Sequence, residues 1–124
     1  MAASALYTEG SISSPIVLVG EAPGAQEVRQ GGAFIGPAGE LLTSLLASAG
    51  ISRSRCRFDN VFQFHPVRDD LSPFLKISTQ GKVRESAEYC AQLATLKERL
   101  SQTSANVIVP LGNIAMYALT GKVN

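Results

Sequence analysis

The chain has 124 residues, enough for one hydrophobic core and too few for two. With 45% hydrophobic and 17% charged residues it is too apolar to stay disordered, and no apolar run nears the ~20 residues of a membrane span. Eleven Lys+Arg against ten Asp+Glu leave a net charge of +1, which excludes a global basic field for nucleic acid, and two Cys exclude a disulfide scaffold.

Residues 1–14 are small and polar and lack the basic start and apolar core of a secretory signal. They are expected to be a flexible lead-in to a single domain over 15–124, in a soluble, intracellular protein. Ile16-Val17-Leu18-Val19-Gly20 is a continuous apolar run, the pattern of a strand covered on both faces. It enters the turn Glu21-Ala22-Pro23-Gly24. Gly31-Gly32 and Gly36-Pro37 then enclose Ala33-Phe34-Ile35, a loop whose backbone is expected to take positive φ or to lie close to something. Pro37 opens a helix in which Leu41, Leu42, Leu45, Leu46 and Ala49 recur at helical spacing, and Gly50 stops it.

Arg53, Arg55 and Arg57 form a basic cluster that reads as a solvated loop, with phosphate contact as the alternative. Arg57 to Phe64 is aromatic and β-branched and predicts a second strand. Residues 65–81 read as a long loop, and residues 82–102 as a helix with an apolar face of Val83, Ala87, Cys90, Leu93, Leu96 and Leu100. Cys90 is therefore expected to be a buried free thiol. Asn106 to Gly112 predicts a third buried strand, and Asn113 to Leu119 a short helix.

Buried strands alternating with amphipathic helices predict an α/β fold: three layers, α/β/α, around a short parallel sheet. Ligands of such sheets bind past the C-terminal strand ends, which brings the Gly-rich loop, Asn60 and His65 to one rim. The sheet is narrow, and a further strand is expected to be missing.

The turn after the first strand can offer N–H groups to an anion, yet it is neither a dinucleotide fingerprint nor a P-loop. A structural turn is the alternative. Glu21 can position a water or a polar substrate edge. Phe34 is either a buried loop anchor or a platform for a flat ring. Asn60 is either bonded to loop backbone or free to read a pyrimidine edge with two hydrogen bonds. His65 is the one His, and a loop position is its plainer interpretation. Cys56 and Cys90 lie far apart with no His beside them, so no metal site is predicted.

Together the motifs resemble the uracil-DNA glycosylase superfamily, in particular its family-four and phage-type branch. The resemblance rests on Gly20-Glu21-Ala22-Pro23-Gly24 with Glu27, on Gly31 to Gly39 followed by Leu41-Leu42, on Asn60-Val61-Phe62-Gln63-Phe64-His65-Pro66, and on Val107 to Gly112 with Ala115 and Leu119. It implies a DNA-repair protein that flips uracil out of DNA and hydrolyses its N-glycosidic bond. By the same resemblance Phe34 stacks on the uracil and Asn60 bonds its edge. Glu21 is the catalytic carboxylate, while Gly20, Ala22, Pro23 and Gly24 line the pocket and Glu27 braces the loop.

The departures from the family carry expectations of their own. Family-four enzymes hold an iron–sulfur cluster on four Cys. Here the early pair is missing from residues 1–14, Phe64 stands in place of the third, and Cys90 alone matches, so no cluster is expected. Gln63 and His65 replace the usual Lys and Arg, and the loop from Val67 to Lys82 is longer. The later His-Pro motif is absent before Asn124. The expected partner is uracil-containing DNA, and the open sheet edge predicts self-association or a partner chain that supplies the missing strand. The alternatives to an active enzyme are a glycosylase-fold module that binds DNA or uracil without turnover, and an unrelated nucleotide-binding domain.

Overall fold

The computed structural model describes residues 6–123. In chain order the elements are β1 (Ile16–Gly20), α1 (Ala25–Gln30), α2 (Pro37–Ser48), β2 (Cys56–Asn60), β3 (Leu75–Ile77), β4 (Val83–Glu85), α3 (Ala87–Ser101), β5 (Val107–Pro110) and α4 (Asn113–Thr120). Single 3₁₀ turns lie at Arg53–Arg55 and Val67–Asp69. The main sheet is parallel, in the order β2-β1-β5, and β3 and β4 form a separate antiparallel hairpin.

β1 is apolar throughout because both of its faces are covered. Val17 and Val19 enter one core with Phe62, Leu75, Tyr89, Leu96 and Ala115, contributed by the hairpin side, α3 and α4. Leu18 enters a second core with Ala33, Leu46, Cys56 and Phe58, on the α2 side. Alternation of side chains across the pleat thus separates the two helical layers. The expected three-layer α/β/α fold with a short parallel sheet is what forms.

Register positions the functional rim. Gly20 pairs with Asn60 and Val19 with Pro110, so the chain leaves β1 and β2 at the same level. β5 is an outer strand, where a proline without an N–H is tolerated. Val107 and Ile108 on that strand are 52% and 41% exposed.

Several expectations are corrected. The second strand stops at Asn60 rather than Phe64, because Val61 and Phe62 turn back and donate their N–H groups to Gly20 and Glu21 carbonyls. The long helix begins at Ala87 rather than near residue 82: Ser86 caps it, its hydroxyl accepting from Tyr89 N at 3.0 Å, and Val83 belongs to β4. The stretch 65–81, expected to be loop, contains β3, which pairs with β4 in the stretch expected to open the helix. Cys90 is exposed and Tyr89 takes the buried position, so the inward face of α3 is rotated from the one expected. Leu41 and Leu45 are also exposed, and α2 buries Gly39 and Leu46 instead.

The lead-in is not free over its described part. Glu9 forms an antiparallel bridge with Phe58, and Ser14 is buried. Residues 1–5 of that segment lie outside the described residues.

Candidate functional site

A cavity of about 500 Å³ opens past the ends of β1 and β2, with Pro23, Gly24, Phe34, Asn60, His65 and Asp69 among its walls. Ala22 and Glu27 also line it. Phe34 and Asn60, 26 positions apart in the chain, meet over Gly20. A Cβ on Gly20 would stand 2.5 Å from Phe34 Cζ and 2.8 Å from Asn60 Oδ1, so a missing side chain is what lets ring and amide approach each other. Gly20 therefore supports the site from beneath and does not face the cavity itself.

The ring is held by its backbone. Phe34 has φ 54°, a left-handed conformation that costs a non-glycine residue about 1–3 kcal/mol and persists only when neighbours enforce it. Glu27, buried on α1, supplies one constraint. Its Oε2 accepts from Ile35 N at 2.9 Å and Gly36 N at 2.8 Å, and its Oε1 accepts from Gly24 N at 2.7 Å. One carboxylate thus ties the turn after β1 to the Phe34 loop. Burial works to raise the Glu27 pKa, but the bonds from Gly36, Ile35 and Gly24 outweigh it and hold the carboxyl below its ordinary 4.5. Gly39 permits the close approach of α2, since any Cβ there would collide with the Phe34 carbonyl.

Arg53 supplies the other constraint, and spacing alone missed it. Its Nη1 donates to Phe34 O at 2.8 Å and its Nη2 to Ala33 O at 2.6 Å. The guanidinium lies 4.6 Å from the centre of the Phe58 ring, which in turn packs against Phe34 with centroids 5.5 Å apart. Arg53 is thus neither the solvated side chain nor the phosphate contact its cluster suggested.

Asn60 is buried at the end of β2. Its backbone is fixed from both sides: N–H donates to Asp59 Oδ1 at 2.7 Å, and the carbonyl accepts from Arg99 Nη2 at 3.2 Å. Asp59, 1% exposed, is paired with Arg99 through bonds of 2.9 and 3.0 Å. Arg99 was also missed. It follows Leu96 by three positions on the inward face of α3, and a charge on an apolar stripe is the signal that a buried partner awaits it.

Glu21 does not join this group. Its Oε2 accepts from Ile114 N at 3.2 Å at the start of α4, and it lines a neighbouring cavity of about 620 Å³ instead. The helix N-terminus attracts the carboxylate and turns it from the ring and amide. The carboxylates that do line the first cavity are Glu27, engaged by three N–H groups, and Asp69. His65 Nδ1 donates to Pro23 O at 3.0 Å, and its Nε2 lies 3.5 Å from Asp69 Oδ1. His65 is thus fixed at the cavity wall and not adrift in a loop.

The Cys residues do not fit an iron–sulfur cluster. The chain has two where four thiolates are needed. Cys56 is buried in the α2-side core, where burial pushes its thiol up against the opposing pull of Arg53 and Arg55, while Cys90 is exposed on α3. Among the described residues no group of three or more His, Cys, Asp or Glu could hold a metal ion.

Fold and site together define a parallel α/β domain that presents an aromatic plate and a carboxamide to one crevice at its strand ends. The chain belongs to the uracil DNA glycosylase superfamily, which it matches over residues 7–124. It is 37% identical over 106 residues to a type-4 uracil-DNA glycosylase of Archaeoglobus fulgidus, covering 86% of this chain and 47% of that protein. A type-4 uracil-DNA glycosylase of Pyrobaculum aerophilum is 32% identical over 116 residues, covering 94% of this chain and 53% of its own length. One from Thermotoga maritima is 45% identical over 58 residues, 47% of this chain and 30% of that protein. The chain spans about half the length of the first two of these relatives.

Proposed function

We propose that this domain is the uracil-recognition part of a DNA glycosylase that flips uracil from DNA and hydrolyses its N-glycosidic bond. The observation that carries the proposal is the convergence of Phe34 and Asn60 on one cavity over Gly20. A base in duplex DNA must leave the stack before a side chain can reach it. Phe34 then offers a face on which the extruded ring stacks, a contact of about 1–3 kcal/mol per base. Asn60 can accept from the uracil N3–H and donate to the adjacent carbonyl oxygen, a pairing that cytosine reverses.

Cleavage leaves an oxocarbenium-like sugar and a uracil anion, so groups that stabilise developing charge supply much of the rate. Pro23 and Gly24 form the wall beside the sugar, and Glu27 keeps that wall at a fixed distance from the ring. Asp69 replaces Glu21 in our proposal as the carboxylate with access to the cavity, where it can orient the attacking water. A donor set of two cysteines, one buried and one exposed, supports recognition and cleavage without an iron–sulfur cluster. A partner or second copy of the chain seats against β5, where Val107 and Ile108 are exposed.

A second interpretation, recognition without turnover, is favoured by the position of Glu21, which is bonded to α4 and withdrawn from the cavity. The discriminating experiment incubates the protein with single-stranded oligonucleotide containing one uracil, then treats it with alkali. Strand breakage that is lost in Phe34→Ala and Asn60→Ala supports the enzyme. Retained binding without breakage supports the second interpretation. Neither binding nor breakage would refute both.

A further inference from the structure

The segment just before β1 reaches both recognition groups. Glu9 pairs with the outer edge of β2 through two backbone bonds to Phe58, of 3.1 and 2.7 Å. Its carboxylate grips Arg53 from one side, with Oε2 to Nε at 2.9 Å and Oε1 to Nη2 at 3.0 Å. The remaining donors of the same guanidinium hold Ala33 O, Phe34 O and Thr43 Oγ1. Two residues earlier, Tyr7 N donates to Gln63 Oε1 at 2.6 Å, and Tyr7 O faces Asn60 Nδ2 at 3.5 Å.

A planar guanidinium has one orientation in which it can serve all these acceptors. Glu9 selects that orientation by binding two of its nitrogens at once. Without it, Arg53 regains side-chain freedom, and the carbonyls that hold Phe34 in its left-handed conformation lose a fixed donor. Phe34 then relaxes toward ordinary backbone angles and the ring leaves its place beside Asn60.

We propose that Tyr7–Gly10 is a strap belonging to the base-recognition site, and that Glu9, acting through Arg53, is a positioning residue for the Phe34 plate. The proposal rests on the role given above to Phe34 and Asn60 for its effect on uracil binding, but the hold on the Phe34 loop can be measured by itself. In Glu9→Ala the strap keeps its backbone bridge and loses the grip on Arg53.

The test is amide hydrogen exchange on the full chain, together with titration of free uracil. Glu9→Ala is expected to speed exchange of the Ile35 and Gly36 amides by about tenfold, with Leu18 and Val19 in β1 unchanged. Uracil affinity falls by a similar factor, and adding Glu9→Ala to Phe34→Ala costs nothing more, since the plate it positions is already gone. Unchanged exchange at Ile35 and Gly36 overturns the strap. So does faster exchange that spreads equally to Leu18 and Val19, which marks a merely structural role. If the wild-type protein fails to bind uracil, the base-recognition proposal falls while the exchange data still decide the hold on Phe34. Should Glu9→Ala not fold, Glu9→Gln, which keeps one acceptor oxygen, carries the same readouts with a smaller effect.

Discussion

Glu27→Gln isolates one carboxylate that joins two loops. In the native protein its two oxygens accept from Gly24, Ile35 and Gly36 at 2.7–2.9 Å, and the residue is 7% exposed. Glutamine keeps one acceptor oxygen and turns an N–H₂ group toward N–H donors on the other side, so one or two of the three bonds are lost. Each bond to a buried charged acceptor is worth about 1.5–3 kcal/mol, which gives a loss of about 1.5–6 kcal/mol. That is a large share of the roughly 5–15 kcal/mol that holds a domain folded. The assay is urea unfolding followed by circular dichroism, repeated from pH 7 down to pH 3. The folded Glu27 carboxyl binds its proton less tightly than the unfolded one, since its pKa is lowered from 4.5. Its contribution is therefore fully present above that value and is lost as pH falls through the lower folded value. The gap between wild type and Glu27→Gln is expected to be widest at neutral pH and to shrink below pH 4.5. A variant as stable as wild type at pH 7, or a gap that does not change with pH, would refute the reasoning.

Three further outcomes follow from the same contacts. Arg99→Met leaves Asp59 buried without its cation and is expected to cost about 3–5 kcal/mol, measured by the same unfolding assay. Gly20→Ala forces a methyl between ring and amide; a strain of about 1–3 kcal/mol is expected to appear as weaker uracil binding in titration. Ile108→Lys on β5 is expected to abolish the self-association proposed there, read by sedimentation, and a wild-type protein that stays monomeric at high concentration would refute pairing of two copies through that edge.

The parallel sheet was legible because β1 and β5 are short apolar runs, β1 covered on both faces, and β2 lies in an aromatic and β-branched stretch. α2 was legible from Pro37, the leucine spacing and Gly50, and α4 was expected over Asn113 to Leu119, within one residue of its extent. The β3–β4 hairpin was not, because three-residue strands are too short to establish an alternation. α1 was not, because six residues between glycines give less than two helical turns of periodicity. The inward face of α3 was misjudged by taking Cys90 over Tyr89, one position away on the same helix. At the site, the convergence of the Phe34 loop and Asn60 on one rim was readable from the order of strands and loops. Arg53 and Arg99 bond to groups 10 to 44 positions away, and no local spacing announces such contacts. The bond of Glu21 to Ile114, 93 positions on, was not legible because it depends on the register of β1 with β5.

The central claim is that one ring and one amide share a single pyrimidine. Titration of isotope-labelled protein with free uracil, followed by nuclear magnetic resonance of the Phe34 ring and the Asn60 carboxamide, tests it most directly. Both sets of signals should move together with one dissociation constant, and cytosine, whose edge reverses the Asn60 pairing, should shift them far less. Movement of one group without the other, or an equal response to cytosine, would contradict the account.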